Sequence, residues 1–599
     1  MCGIIGYVGK NNAIPRIING LKSLEYRGYD SAGIAYSLNN KIKIVKEKGK
    51  IINLEAKINK DDISHLGIGH TRWATHGIPN KINAHPHNQK NITLVHNGII
   101  ENYEELKKEL EKSNYTFKSD TDTEIAAGYI NYLYEKEKDI LKVLNKLKTT
   151  FRGSYAFGII VNGDDNLYAI RHDSPLIVGL GIEENFIASD VPAILEYTNK
   201  YLLLENDEVV KINKNNIKIY KDLKEIKKKI NEFNFNVDQA QKAGYDHFML
   251  KEINEQDTVI KNTLSPYIEN GKESIISNLP DFSKYNKIDI VGCGSAYHTG
   301  IIGKYLIEEY GNIPVNVEIA SEYRYKKLFL DKKTLVIVIS QSGETADTLA
   351  SLRIAKEHGC DTIGIVNVVG SSIAREVDHV IYINAGCEIA VATTKAYSLQ
   401  LLILSLIAFK LGIQKNTISD NEINKILKDY KELPDKLRNE INKNYKDLAK
   451  QIYKKEDIFF IGRNIDYATA LEGSLKLKEI SYIHSETYAA GELKHGTISL
   501  IAPKTPVIAI VTEKKIAEKT ISNIKEVKAR GAYVVLITTN KLDSESDYYD
   551  KKVVLQDTNK LIQPIINVIP LQLLSYEVAK LRNCDIDKPR NLAKSVTVE

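Results

Sequence analysis

Residues 334–367, TLVIVISQSGETADTLASLRIAKEHGCDTIGIVN, decide how most of the chain folds. An unbroken apolar run ends in a Ser/Gly/Thr turn. A helical stretch follows, and a second apolar run closes the unit. Strands that are apolar on both faces and alternate with helices read as a parallel sheet covered on both sides. Residues 505–539, TPVIAIVTEKKIAEKTISNIKEVKARGAYVVLITT, repeat the form. Each copy is preceded by a further strand, turn and helix, KIDIVGCGSAYHTGIIGKYLIEEYG at 287–311 and DIFFIGRNIDYATALEGSLKLKEISY at 457–482. The paired strands are similarly spaced, Val291 to Val336 against Ile461 to Val507. The C-terminal part is therefore expected to form two doubly wound α/β domains that arose by duplication.

Residues 1–235 read differently. Short β-type runs (CGIIGYVG, SAGIAYS, KIKIVKEK, ITLVHNG, SYAFGIIV, NLYAIR) alternate with few helices. The clearest helix is SDTDTEIAAGYINYLYEK, where Thr121 and Glu124 make a capping-box pattern. This predicts an α+β domain of layered sheets covered by helices. The charged stretch 221–250 shows no strand signal and marks the boundary. The expected division is 1–235, a linker at 236–250, α/β domains at 251–425 and 426–584, and a tail at 585–599.

Bulk numbers exclude several classes. The 82 basic and 77 acidic residues leave a net charge of +5 over 599 residues, too little to imply nucleic acid. Five cysteines without metal or disulfide spacing fit a reducing compartment. No secretory signal is evident at the N-terminus. The apolar run LQLLILSLIAF at 399–409 is too short to span a bilayer and reads as a buried helix. A cytoplasmic enzyme without metal, cofactor or membrane attachment is expected.

The N-terminus carries chemistry. Once Met1 is removed, Cys2 in MCGIIGYVG combines a thiol with a free α-amine, a nucleophile with its own base. Taken alone it reads equally as a small residue starting a strand. Four polar, Gly-punctuated clusters lie beside strand-like runs: YRGYDSAG, GHTRWATHG, VHNGIIEN and SDTDTE. Amide hydrolysis needs an oxyanion hole and a clamp for a small zwitterion. Asn97 and the Gly98 amide suit the hole, Arg72 a carboxylate, and Asp122 an ammonium group. Each has a plainer reading: a turn dipeptide, a surface ion pair, a helix cap.

Jointly, these blocks resemble a class II glutaminase domain of the N-terminal-nucleophile type, in that family's order over 1–235. The resemblance implies Cys2 as nucleophile, Asn97 and Gly98 as oxyanion hole, and Arg72, Thr75, His76 and Asp122 as glutamine contacts. It also makes Trp73 a gate for ammonia.

In the α/β half, Ser340-Gln341-Ser342-Gly343-Glu344-Thr345 joins a strand to a helix. Hydroxyls and free N–H groups at a helix N-terminus suit a phosphate. With neither a P-loop lysine nor GxGxxG, a phosphate monoester fits better than a nucleotide. TEKKIAEK at the matching place in the second copy lacks the hydroxyls, so one phosphate site per chain is expected.

This loop resembles that of a sugar isomerase (SIS) domain. A class II glutaminase followed by two SIS domains looks like the glutamine–fructose-6-phosphate aminotransferase (isomerising) family. The resemblance runs through CGSAYH, EIAVATTKAYSLQ, LEGSLKLKEISYIHSETYAAGELKHG and the tail PRNLAKSVTVE. It implies conversion of fructose 6-phosphate and glutamine to glucosamine 6-phosphate and glutamate, with ammonia passed between sites. His495 would open the sugar ring across a homodimer interface, and Glu479 would move a proton between C1 and C2. Lys594 would form an imine with the ketose, and Lys476, one helical turn from Glu479, would stabilise enolate-like charge. Ser340, Gln341, Ser342, Thr345, Ser295, Val391, Thr393 and Ala593 would hold the sugar phosphate. A helix salt bridge is the plainer reading of Lys476 and Glu479.

Two departures stand out: Ser295-Ala296 replaces a hydroxyl pair, and Thr393 stands where serine is common. A phosphoribosyl-type amidotransferase or an asparagine synthetase shares the glutaminase half but not the SIS half. A non-catalytic sugar-phosphate sensor needs none of Glu479, His495 and Lys594. A ketose isomerase with a vestigial glutaminase does not need Cys2. Pyridoxal phosphate is not implied, because the nitrogen comes from an amide.

Overall fold

The computed structural model describes residues 2–73, 77–233 and 241–597. It divides into two compact units, Met1–Ala240 with Ala593–Glu599, and Gln241–Leu592.

The first unit stacks two antiparallel sheets between helices. One sheet runs Asn231–Glu232, Lys200–Leu203, Ile177–Leu180, Glu184–Ala188, Gly3–Gly9, Leu66–Arg72, Ser31–Leu38, Lys41–Lys48. The other runs Lys224–Ile226, Ile217–Lys221, Val209–Ile212, Leu167–His172, Gly153–Val161, Ile92–Ile100, His87–Gln89. Successive side chains of a strand face opposite sides. Ile4 and Val8 thus enter the layer between the sheets with Ile68, Val95, Ala156 and Ile160. Ile5 and Tyr7 meet the outer helix Ala13–Leu24 through Ile14, Ile17, Ile18 and Leu21. The helix Asp122–Glu137 covers the other sheet with Ile125, Ala126, Tyr129 and Ile130. All six β-type runs read from the sequence are strands here.

Two local expectations change. Thr121 caps its helix by accepting from Glu124 N at 3.3 Å. The Glu124 carboxylate does not close the box. It accepts from the Lys118 and Ser119 amides at 3.0 and 2.6 Å, stapling the preceding loop. The segment after residue 221 also contains strands, Lys224–Ile226 and Asn231–Glu232. They are short edge strands rich in exposed charge, so they carry no apolar alternation.

The second unit holds two five-stranded parallel sheets of identical order. The first runs Val315–Ile319, Lys287–Gly292, Thr334–Ser340, Asp361–Val366, His379–Tyr382. The second runs His484–Ala489, Asp457–Gly462, Pro506–Val511, Tyr533–Thr539, Lys551–Leu555. In each the strand order reverses beside the first strand, and such a switch point is where open α/β sheets bind ligands. The run at 399–409 lies in the helix Lys395–Gln414, which is longer than the run itself. The most apolar window of this helix is 94% buried in protein. Its charged groups are answered internally, Lys395 by Glu255 at 2.8 Å and Lys410 by the Ile276 and Leu279 carbonyls, and Ser405 pairs with Tyr430, while the Tyr397 hydroxyl and Gln400 Oε1 are buried without a partner among the described residues. The internal pairing of charge is the signature of a core helix, since each unmet group would cost about 1–3 kcal/mol.

Candidate functional site

Cys2 immediately precedes the central strand Gly3–Gly9, whose partner Leu66–Arg72 leads into Trp73. The Cys2 Sγ lies 3.3 Å from the Trp73 amide and 3.5 Å from the Trp73 carbonyl. The Cys2 carbonyl accepts from Asn97 Nδ2 at 3.0 Å and from Arg27 Nε at 3.2 Å. Burial pushes the Cys2 thiol up, while the Trp73 amide and the Arg72 and Arg27 guanidiniums oppose it. Arg27 is itself buried and bound to Asp190 at 2.7 Å. It stands in YRGYDSAG, where nothing local sets it apart from its neighbours.

Asn97 and Gly98 lie in strand Ile92–Ile100 of the opposite sheet. Gly98 has φ +124°, and a Cβ there would stand 2.0 Å from the Ser154 carbonyl, so this position requires glycine. Asp122 opens the helix Asp122–Glu137, and its carboxylate accepts from the Ile100 amide at 2.9 Å. Buried Arg72 ends its strand, with Nη2 donating to the Gly77 carbonyl at 3.2 Å. Burial lowers the Arg72 pKa against the attraction of Cys2 and Asp122. Thr75 and His76 fall outside the described residues.

In the second unit, Ser340 ends the strand Thr334–Ser340 at the first switch point. Its Oγ pairs with Thr345 Oγ1 at 2.9 Å and accepts from Gly343 N at 3.0 Å. Gly343 has φ +66°, and a Cβ there would meet Ser371 Oγ at 2.0 Å. Ser342 Oγ accepts from Glu344 N, and Glu344 Oε1 from Ser372 N at 2.8 Å. Thr345 occupies the N-cap position of the helix Ala346–Glu357 without a side-chain capping bond, its hydroxyl being turned to Ser340. The loop thus gathers three hydroxyls and Gln341 at a helix N-terminus.

Across that switch point, Ser295 opens the helix Ser295–Gly311, and its Oγ donates to Glu472 Oε1 at 2.9 Å. Glu472 also meets His298 Nδ1 at 2.8 Å and Lys476 Nζ at 3.4 Å. Lys476 Nζ reaches Glu479 Oε2 at 2.6 Å and Ser295 Oγ at 3.2 Å. Burial works against the Lys476 charge, but the two carboxylates outweigh it and raise its pKa. Burial likewise works against a charged Glu472, yet Lys476, His298 and Ser295 leave its pKa lowered. The ammonium and the carboxylate beneath it are therefore both charged. Sequence reading named Ser295, Lys476 and Glu479 but missed Glu472 and His298.

Val391 N donates to the Asp587 carbonyl at 3.0 Å, and Thr393 is half-buried just before the helix Lys395–Gln414. His495 is exposed on the 3₁₀ turn Glu492–His495. Ala593 and Lys594 belong to the tail segment that groups with the first unit.

Residues 70–196 match the glutamine amidotransferase domain model, and residues 281–410 and 451–582 match the SIS domain model. A glutamine–fructose-6-phosphate aminotransferase (isomerizing) from Clostridium tetani is 50% identical, with all of both chains covered. One from Caldanaerobacter subterraneus is 49% identical, again over all of both chains. The solved C-terminal domain of the glucosamine-fructose-6-phosphate aminotransferase of Francisella tularensis is 39% identical. It is covered completely by 58% of this chain, with a TM-score of 0.55. The two full-length relatives align with this chain from end to end, the glutamine amidotransferase and SIS matches fall on its layered-sheet unit and its duplicated parallel sheets, and the chain belongs to the glutamine–fructose-6-phosphate aminotransferase (isomerizing) family.

Proposed function

We propose that the chain converts L-glutamine and D-fructose 6-phosphate into L-glutamate and D-glucosamine 6-phosphate, using two sites. At the first, the α-amine exposed by removal of Met1 takes the Cys2 proton, and the sulfur adds to the glutamine amide carbon. Asn97 and the Gly98 amide hold the oxyanion. Arg72, with Thr75 and His76, holds the glutamine carboxylate end, and Asp122 the ammonium. The amide nitrogen leaves as ammonia, past Trp73, and water releases glutamate from the thioester.

At the second site the loop Ser340–Thr345, with Ser295, Val391, Thr393 and Ala593, holds the sugar phosphate. His495 opens the ring, and Lys594 condenses with the C2 carbonyl, releasing water. Ammonia displaces the lysine amine. Glu479 then removes a proton from C1 and returns one to C2, giving the aldose amine. Lys476 stabilises the enolate-like charge between those steps. A homodimer in which His495 serves the neighbouring subunit, and a cytoplasmic location, belong to the same proposal.

The observation that carries this reading is the buried Lys476 ammonium, 2.6 Å from Glu479 and 3.2 Å from Ser295. A surface helix pair has no need of burial, whereas an acid/base pair beside a bound sugar does. Cys2→Ala tests the division of labour. Glucosamine 6-phosphate formation from glutamine should vanish while fructose 6-phosphate still binds. Normal use of glutamine by this variant would overturn the assignment.

A further inference from the structure

His70 lies in the strand Leu66–Arg72, wholly buried. Its Nε2 is 2.9 Å from the His96 carbonyl oxygen and 3.2 Å from Asn97 Oδ1. A carbonyl only accepts, so Nε2 carries the ring hydrogen. Nδ1 is buried without a hydrogen-bond partner, as suits the bare nitrogen of a neutral ring. The ring stacks on His85 at 4.1 Å, and His85 packs edge-on against His87 at 5.0 Å. Burial pushes His70 down to about 3 and holds it neutral at pH 7. These imidazoles do not form a metal site, as no such cluster occurs among the described residues.

A carboxamide turned end for end fills nearly the same space, so sterics alone do not orient Asn97. The His70 N–H does. Shared with the His96 carbonyl, it meets an acceptor at Asn97 only when Oδ1 points towards it, and then Nδ2 is directed to the Cys2 side, where it donates to the Cys2 carbonyl at 3.0 Å. The reverse orientation sets donor against donor at His70 and acceptor against acceptor at Cys2.

We infer that His70 is a positioning residue for the glutaminase half: its neutral Nε2–H tautomer locks the Asn97 amide with its NH₂ group presented at the nucleophile. This rests on the reading of Asn97 as an oxyanion donor. Removing such a donor costs about 10²–10³ in rate, and leaving it free to turn should cost part of that.

The test uses the full chain. His70→Met keeps length and apolar bulk but has no donor, while His70→Gln places an N–H near the Nε2 position. His70→Met should lower kcat for glutamine hydrolysis about tenfold or more with KM nearly unchanged. His70→Gln should restore most of that loss. Alkylation of Cys2 by iodoacetamide, which forms no oxyanion, should keep the wild-type rate in both variants and so also reports an intact fold. The double variant His70→Met/Asn97→Ala should be no slower than Asn97→Ala alone. Full activity in His70→Met, equal loss in His70→Gln, slowed alkylation, or multiplying losses in the double variant would each overturn the inference. Wild-type kcat in Asn97→Ala would instead remove the oxyanion reading beneath it.

Discussion

Helices Ser295–Gly311 and Ile465–Ser481 are the same element built twice. Both have 17 residues, and both follow a left-handed residue, Gly294 at φ 55° and Asn464 at φ 50°. Both end on another, Asn312 and Tyr482. Matched one to one, Ala296 corresponds to Asp466, Ile302 to Glu472, Leu306 to Lys476 and Glu309 to Glu479. In the second copy the Asp466 carboxylate accepts from Thr512 N at 2.7 Å and Glu513 N at 3.3 Å, and pairs with Thr512 Oγ1. It occupies, from within the chain, the switch-point amides that a phosphate would use. In the first copy Ala296 offers no such group, and the loop beyond Ser340 is lined with hydroxyls. Conversely, the second helix carries the Glu472–Lys476–Glu479 ladder where the first carries Ile302 and Leu306. Duplication supplied two equal frames. Under the proposed function, side-chain substitution then gave the phosphate to one and the proton chemistry to the other.

This division is open to direct challenge, most sharply at the ladder. Glu479→Gln should lower the rate of glucosamine 6-phosphate formation about 10²–10⁴-fold and spare glutamine hydrolysis. Glu309→Gln, its counterpart on the first helix, should leave both rates unchanged. Parallel product and glutamate assays on the two variants decide it, and comparable losses would dissolve the asymmetry.

At the loop the expected effect is smaller. Ser340→Ala removes one hydroxyl from the phosphate, a charge-assisted bond worth about 1.5–3 kcal/mol. The KM for fructose 6-phosphate should rise about tenfold or more with kcat little changed, as steady-state kinetics would show.

The smallest effect concerns the internal plug. Burial raises Asp466 to about 6, against the pull of Thr512 and in concert with the nearby Glu513. A carboxyl whose folded pKa lies above its unfolded value of roughly 3.9 favours the fold when protonated. That contribution is complete below about pH 4 and is lost as the pH rises through about 6. The heat-unfolding midpoint should therefore gain from acidification between pH 8 and pH 5 by a contribution of about 1 kcal/mol. Asp466→Asn should lack that portion of the pH dependence, and calorimetry at both pH values measures it.

The comparison also explains what was legible in the sequence. Apolar runs, Gly turns and the spacing of the copies reveal the frames, because strand and helix periodicity is local. The hydroxyl loop and its absence from TEKKIAEK are equally local, so the placing of hydroxyls at one switch point alone could be read. Glu472 and His298 could not. They meet across two helices far apart in the chain, and within LEGSLKLKEISY a buried glutamate resembles an exposed one. Matching the copies residue by residue, with Asp466 beside Ala296 and Glu472 beside Ile302, is the signal that would have singled them out. His70 escaped for a similar reason: in GHTRWATHG it looks like any strand histidine until Asn97 is placed against it from the other sheet.

One measurement reaches the central claim most directly: calorimetric titration of the full chain with fructose 6-phosphate, in wild type, Ser340→Ala/Thr345→Val and Asp466→Asn forms. One molecule bound per chain, lost with the two hydroxyls and retained without the Asp466 charge, is the predicted result. Two molecules per chain, or undiminished binding without Ser340 and Thr345, would contradict it.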